Sequence, residues 1–356
     1  MRADRRKFVL GVGALGATTA AFGWSCNRPE PRAQALAATI QRVPIPDAQD
    51  IARASNELVE ALQRLTAASP GPVLQAAQDA WRRAALAWQR GFAFQHGPFV
   101  RTGALLRASF WPARRAAIAA FLTGTDAIDA DRIELLGVDA KGVFAIEHVL
   151  FEAGPEDSAP GPWLAGAHGD RARALVSALA QDVKRYADRG VAAIGDGEKF
   201  KADFARGAQH SLNRLVDQLI GTVENAAVRL DRVLRQNANH TLRPADVQGE
   251  PSGLSTQVLQ AWVSVAERVY GARVDASLAT LLRDAAPAIE ASTSQAFDAA
   301  VRGLASIGAP IEQVVQRDPA PLAAALRALK SVEIALRTEL ASALGVTIAF
   351  TSMDGD

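Results

Sequence analysis

Between Phe200 and Arg235 the residues Phe200, Phe204, Leu212, Leu215, Val216, Leu219, Val223, Leu230 and Leu234 recur at steps of three and four residues and their sums. An α-helix turns about 100° per residue, so this spacing gathers them on one stripe. The stripe is wider than a coiled-coil seam, which predicts a long helix packed into a bundle. The same spacing returns in Ile51, Ala54, Leu58, Leu62 and Leu65, and in Trp81, Trp88 and Phe92. Runs of alternating Val, Ile and Thr, the mark of strands, are absent. Gly and Pro punctuate the helical patterns: "SPGP" at Ser69 to Pro72 closes one, and Gly97-Pro98 is expected to stop the tryptophan helix. Further helices are expected from near Ser255, Pro287 and Pro319, with Ser255 read as an N-cap before Val258, Leu259 and Trp262.

These readings give an all-α chain. Its 356 residues, 49% hydrophobic, suffice for two ordinary cores. The division is expected near "AIGDGEK", Ala193 to Lys199. The resulting plan is a signal segment over 1–26, a polar spacer over 27–46, one helical bundle over 47–195 and a second over 196–356. Charge is balanced, with 39 Lys plus Arg against 38 Asp plus Glu, and no basic run with interleaved aromatics occurs beyond the N-terminus. Nucleic acid is therefore excluded as a partner.

The start, "MRADRRKFVLGVGALGATTAAFGWSC", sets Arg2, Arg5, Arg6 and Lys7 ahead of a Gly- and Ala-rich apolar segment. That is the layout of an export signal rather than of a fold element, and "DRRKFVL" is similar to a twin-arginine signal. The expected location is the periplasm or cell envelope. Cys26 follows the apolar segment and the small residue Ser25, where a bacterial lipoprotein bears its lipid; a soluble periplasmic product or an uncleaved anchor are the alternatives. Cys26 is the only cysteine, so an intrachain disulfide and any zinc site needing two thiolates are ruled out.

Candidate chemistry concentrates in "KGVFAIEHVLFE", Lys141 to Glu152. On a helical wheel Glu147 falls inside the apolar stripe of Val143, Phe144, Ile146, Leu150 and Phe151. A lone ionised carboxylate there would cost several kcal/mol, so it needs a cation, hydrogen-bond donors or a metal, or else keeps its proton. One reading pairs it with Arg107, Arg114 or Arg115; the other places it for a metal or ligand between the bundles. His148 and Glu152, four apart, share an edge of the helix and could meet one ion, or could be a half-exposed rim pair. His96, beside Gly97-Pro98, and Asp354, in the C-terminal turn, are candidates for the same cleft. Trp81, Trp88 and Trp111 are read as core residues. No His-Glu-x-x-His string is present.

Five segments in order resemble the imelysin family of bacterial envelope proteins: "AWRRAALAWQRGFAFQHGP" (Ala80 to Pro98), "FWPARR" (Phe110 to Arg115), "KGVFAIEHVLF", "EPSGLS" (Glu250 to Ser255) and "LGVTIAFTSMDGD" (Leu344 to Asp356). The resemblance implies two helical bundles related by approximate internal symmetry, export to the envelope, and a link to iron or other metal acquisition. It also implies membrane transport or receptor components as partners, and iron or another divalent metal as the bound species. The family is nominally one of metallopeptidases with a Gly-x-His-x-x-Glu signature. Counting from Gly142, Phe144 stands at the histidine position and Glu147 at the glutamate. The expectation is accordingly a non-enzymatic metal- or ligand-binding component, with a metallopeptidase of rearranged site and an interaction scaffold with a structurally paired Glu147 as alternatives.

Overall fold

In the computed structural model the long stripe lies on helix α12, Ala208–Ala238, whose Leu212, Leu215, Val216, Leu219, Val223 and Leu230 are buried. The structure describes residues 30–67, 71–152, 162–165 and 167–348; the export segment with Cys26, and Asp354, lie outside them. The stripe is not one helix. Helix α11, Glu198–Arg206, ends at Gly207, and α12 opens with Ala208 at positive φ. The periodicity does not register this break, because Phe204 and Leu212 face the core on either side of it.

Helices α2 (Pro44–Gln63), α3 (Gly71–Phe92) and α10 (Gly169–Ile194) form the centre of the first group, with α2 packed on both others. Trp81 and Trp88 are fully buried from α3, and Trp88 donates to Ser55 Oγ of α2 at 3.1 Å. Each such side chain contributes about 1.5–3 kcal/mol by burial. Helix α3 ends at Phe92, before the expected stop. Pro98 instead opens a short α4, Pro98–Arg101, since a proline at the first helical position gives up only an amide that has no intrahelical partner. The short helices α5 (Ala104–Ser109), α6 (Arg115–Thr123) and α9 (Pro162–Ala165) pack around the buried α8, Val143–Phe151, and α7 (Ala130–Leu135) packs on α10.

The second group gathers α13 (Ser255–Tyr270), α15 (Pro287–Ala305) and α17 (Ala320–Ile334) around α12. Helix α14 (Leu278–Ala285) and α16 (Ile311–Arg317) fill its edges, and α17 runs through a π-helical turn, Ala335–Leu340, into α18, Ala341–Leu344. Ser255 does not cap its own helix. It is the first residue of α13, and its Oγ accepts from the Ile311 N–H at 3.0 Å while donating to Glu312 at 2.6 Å, so it serves the start of α16.

No strand occurs among the described residues, and none of their helices is long and apolar enough to cross a membrane. The groups meet where α3 packs on α13, sealed by Trp262 Nε1 donating to Gln89 Oε1 at 3.1 Å and by the Arg268–Asp47 ion pair at 2.8 Å. The interval expected as a spacer contains a helix: α1, Pro31–Arg42, buries Leu36 and Ile40 and packs against α11, α12 and α14. Its buried face is only Ala35, Leu36, Thr39 and Ile40, too few large apolar residues to carry much signal in a hydropathy pattern.

Candidate functional site

Every residue of α8 is buried, so the amphipathic pattern drawn for it has no solvent side. Helix α3 holds it at both ends: Trp81 Nε1 donates to the Val143 carbonyl at 2.7 Å, and Gln78 Nε2 to the Leu150 carbonyl at 2.9 Å. At its start Gly142 takes φ +80°, and a Cβ there would lie 2.6 Å from the Ala108 carbonyl oxygen of α5. Only glycine lets the two helices approach this closely.

Glu147 is 4% exposed, and among the described residues no arginine pairs with it. Arg107 binds Glu134, Arg114 binds Asp139, and Arg115 Nη2 lies 2.8 Å from Glu152 Oε1. The partner of Glu147 is Ser252, from the turn before α13, whose Oγ lies 2.6 Å from Glu147 Oε1 and 3.2 Å from the Gly249 carbonyl. Burial pushes the Glu147 carboxyl up to about 8; the Ser252 hydrogen bond pulls it down, and the charge of Glu152 adds to the rise. At neutral pH the carboxyl therefore keeps its proton. A protonated Glu147 can donate to Ser252 Oγ, which in turn donates to the Gly249 carbonyl.

His148 is 7% exposed rather than half exposed. Trp163 of α9 covers it, with ring centroids 6.1 Å apart. Its Nδ1 sits 3.0 Å from Glu152 Oε2, off the line of a hydrogen bond, and neither ring nitrogen has a hydrogen-bond partner among the described residues. Buried polar atoms are nearly always satisfied, so Nε2, with no partner among the described residues, is the atom of this imidazole open to a ligand. Glu147, His148 and Glu152 line one cavity with Trp111, Arg115 and Phe144, leaving about 20 Å³ for the centre of a water-sized occupant. That is room for one water or one ion.

Three of the sequence candidates thus converge. His96 does not. It lines a separate cavity of about 660 Å³ with His210 and Phe200, and its Nε2 donates to the Arg214 carbonyl at 2.8 Å. Burial lowers its pKa, so it is a neutral imidazole with its Nε2 proton already engaged. Trp111 packs against the core but is only half-buried, and it also forms a wall of the Glu147 cavity. Ser252, the one hydroxyl on Glu147, was not singled out from the sequence; its only signal is its place in "EPSGLS". Among the described residues no three His, Cys, Asp or Glu side chains converge on a metal-sized point.

Fold and site together define an all-helical protein with a small buried acid-and-imidazole cavity where two helix groups meet. The imelysin family model matches residues 44–336, and the chain belongs to that family. It is 27% identical over 148 residues to iron-regulated protein A of Synechococcus elongatus, a match covering 42% of this chain and 40% of that protein, so the chain spans about two-fifths of the length of this curated relative. Two crystal structures share the fold. One is an imelysin-like protein from Psychrobacter arcticum, with TM-score 0.65 and 19% identity over 91% of this chain and 98% of the other. The other, an iron-regulated protein A precursor from Parabacteroides distasonis, has TM-score 0.62 and 16% identity over 89% and 96%.

Proposed function

We propose that this chain is an exported binding component of iron or metal acquisition that holds its cargo at His148 and Glu152 and catalyses no reaction. The observation that carries this reading is His148, buried with Nδ1 3.0 Å from the Glu152 carboxylate and with no partner for Nε2 among the described residues. The printed description of the Synechococcus elongatus relative as iron-regulated supports the choice of cargo. Imidazole and carboxylate suit a ferric or borderline divalent ion. Two protein donors do not complete a coordination shell, so a bound ion would need Glu147, once ionised, as a further donor. Glu147, neutral until a cation approaches, would lose its proton and add negative charge at the moment of binding. Phe144, where the family signature has histidine, makes an apolar wall of this cavity instead of a third donor, which argues against peptide hydrolysis.

A thermal melt tests the reading. Ferric iron or zinc in excess is expected to raise the melting temperature of the wild type, as a ligand at 100 times its Kd stabilises by about 2.7 kcal/mol, and His148→Ala is expected to abolish that rise. An unresponsive wild type would sink the binding reading.

Export is the second component. Arg5→Lys with Arg6→Lys is expected to hold precursor in the cytoplasm, and Cys26→Ser to convert a membrane-associated form into a soluble one. Unchanged membrane association of a cleaved Cys26→Ser protein would remove the lipid anchor from the proposal.

A further inference from the structure

Trp111 and Val247 also line a second cavity, with Arg229, Arg232 and Gln248 among others, which like the Glu147 cavity leaves about 20 Å³ for the centre of a water-sized occupant. Arg229, on α12, is held against two indoles: its Cζ stands over the ring of Trp111 at 4.8 Å from the centroid and over that of Trp262 at 4.8 Å. Both are cation–π contacts. They leave the N–H donors of its fork free, and among the described residues no carboxylate or other acceptor is hydrogen-bonded to them. The one acid lining the cavity, Asp246, is held in a fork by Arg243, at 2.9 and 2.8 Å. Arg232 adds a second positive charge. Burial and Arg232 bring the Arg229 guanidinium down to about 10, which leaves it cationic at pH 7.

Gln248 supplies the complementary feature. Trp262 Nε1 can only donate, so the Gln89 atom facing it is the carbonyl oxygen. Gln248 approaches that same oxygen at 3.2 Å and must therefore present its NH2. This fixes the amide, and Gln248 Oε1, on a side chain only 7% exposed, is left without a donor among the described residues. The cavity thus holds an unneutralised planar cation and a fixed, idle acceptor.

We propose that this cavity binds a small oxyanion that also carries an O–H: its anionic oxygens lie in the plane of Arg229 and its hydroxyl donates to Gln248 Oε1. Hydrogen phosphate and the head of an α-hydroxycarboxylate share that chemistry. Sulfate and acetate do not, because neither has a proton to give at pH 7. The site is independent of metal binding at His148, so failure of one leaves the other standing.

Tryptophan fluorescence reads it directly, since two of the rings touch the binding cation. Inorganic phosphate, glycolate, sulfate and acetate would each be titrated into the full mature chain at pH 7. Phosphate or glycolate is expected to give a saturable change, with sulfate and acetate at least about tenfold weaker, the effect of leaving one buried acceptor unpaired. The tighter of the first two identifies the source, mineral or organic acid. Arg229→Gln, which removes an unpaired cation and should fold as judged by circular dichroism, is expected to abolish the response; Arg229→Lys, keeping charge without the planar fork, should weaken it. Gln248→Leu should bring sulfate to parity with phosphate. No saturable response to phosphate or glycolate, a response preserved in Arg229→Gln, or sulfate binding as well as phosphate to the wild type would each overturn the proposal.

Discussion

Glu147→Gln is expected to make the protein more stable than wild type at pH 8.5, by at least about 2 kcal/mol, and indistinguishable from it near pH 4. The carboxyl titrates at about 8 in the folded protein against an ordinary 4.5. Below 4.5 both folded and unfolded chains hold the proton, and the site has no pH dependence. Between 4.5 and about 8 only the folded chain holds it, so stability falls as pH rises, and above 8 the loss is complete. At about 1.36 kcal/mol per pH unit the full span amounts to at most roughly 5 kcal/mol. Glutamine keeps a donor for Ser252 Oγ, its NH2, and has nothing to ionise. Glu250 and Glu312 are also raised by burial and give the wild type further loss in the same direction, so the measurement that matters is the difference between variant and wild type. Urea unfolding at pH 4, 6, 7 and 8.5 supplies it. If that difference does not change with pH, Glu147 is ionised throughout and has a cation partner after all.

This outcome separates what the sequence could carry from what it could not. The all-helical fold was legible because a stripe at three- and four-residue spacing can only be buried by a helix, as in α2, α3 and α12. Burial of Glu147 was legible for the same reason. Its partner was not: Ser252 lies 105 positions away, and the three arginines that looked available are taken by acids on their own short helices and loops. His148 looked like a rim residue because a wheel shows only one helix, whereas Trp163 arrives from a separate four-residue helix to cover it. Arg229 sits in a run with Arg232 and Arg235 that reads as the solvated face of α12, and nothing local announces that two distant tryptophans close over it. Periodicity reports which face of a helix is apolar. It does not report which neighbour completes the face, and the cavities here are made by neighbours.

The most damaging single substitution expected at the site touches none of its polar atoms. Gly142→Ala should destabilise the protein by roughly 3 to 5 kcal/mol, the sum of two separate costs. The first is conformational: φ +80° with ψ −170° is a region that residues with a Cβ essentially do not enter. The second is steric, because the new methyl would stand 2.6 Å from the Ala108 carbonyl oxygen and 2.8 Å from its carbon, backbone atoms that cannot rotate aside as a side-chain tip would. Helix α8 cannot retreat either. The preceding Lys141 is buried with Nζ on the Glu134 carbonyl at 3.1 Å, and Trp81 holds the Val143 carbonyl at 2.7 Å. Gly345→Ala is the control. That glycine ends α18 in an ordinary left-handed conformation, φ +63° and ψ +36°, with no heavy atom within 4 Å of its missing Cβ, so only about 1 kcal/mol of backbone cost applies. Urea unfolding of both variants measures the difference, and equal losses would mean that α8 slides away from α5 without penalty. If α8 does shift in the surviving folded fraction, it carries Glu147 and His148 with it. The metal-induced rise in melting temperature should then shrink in Gly142→Ala although every candidate ligand is still present, because the site is built by the approach of α8 to α5 as much as by the side chains it displays.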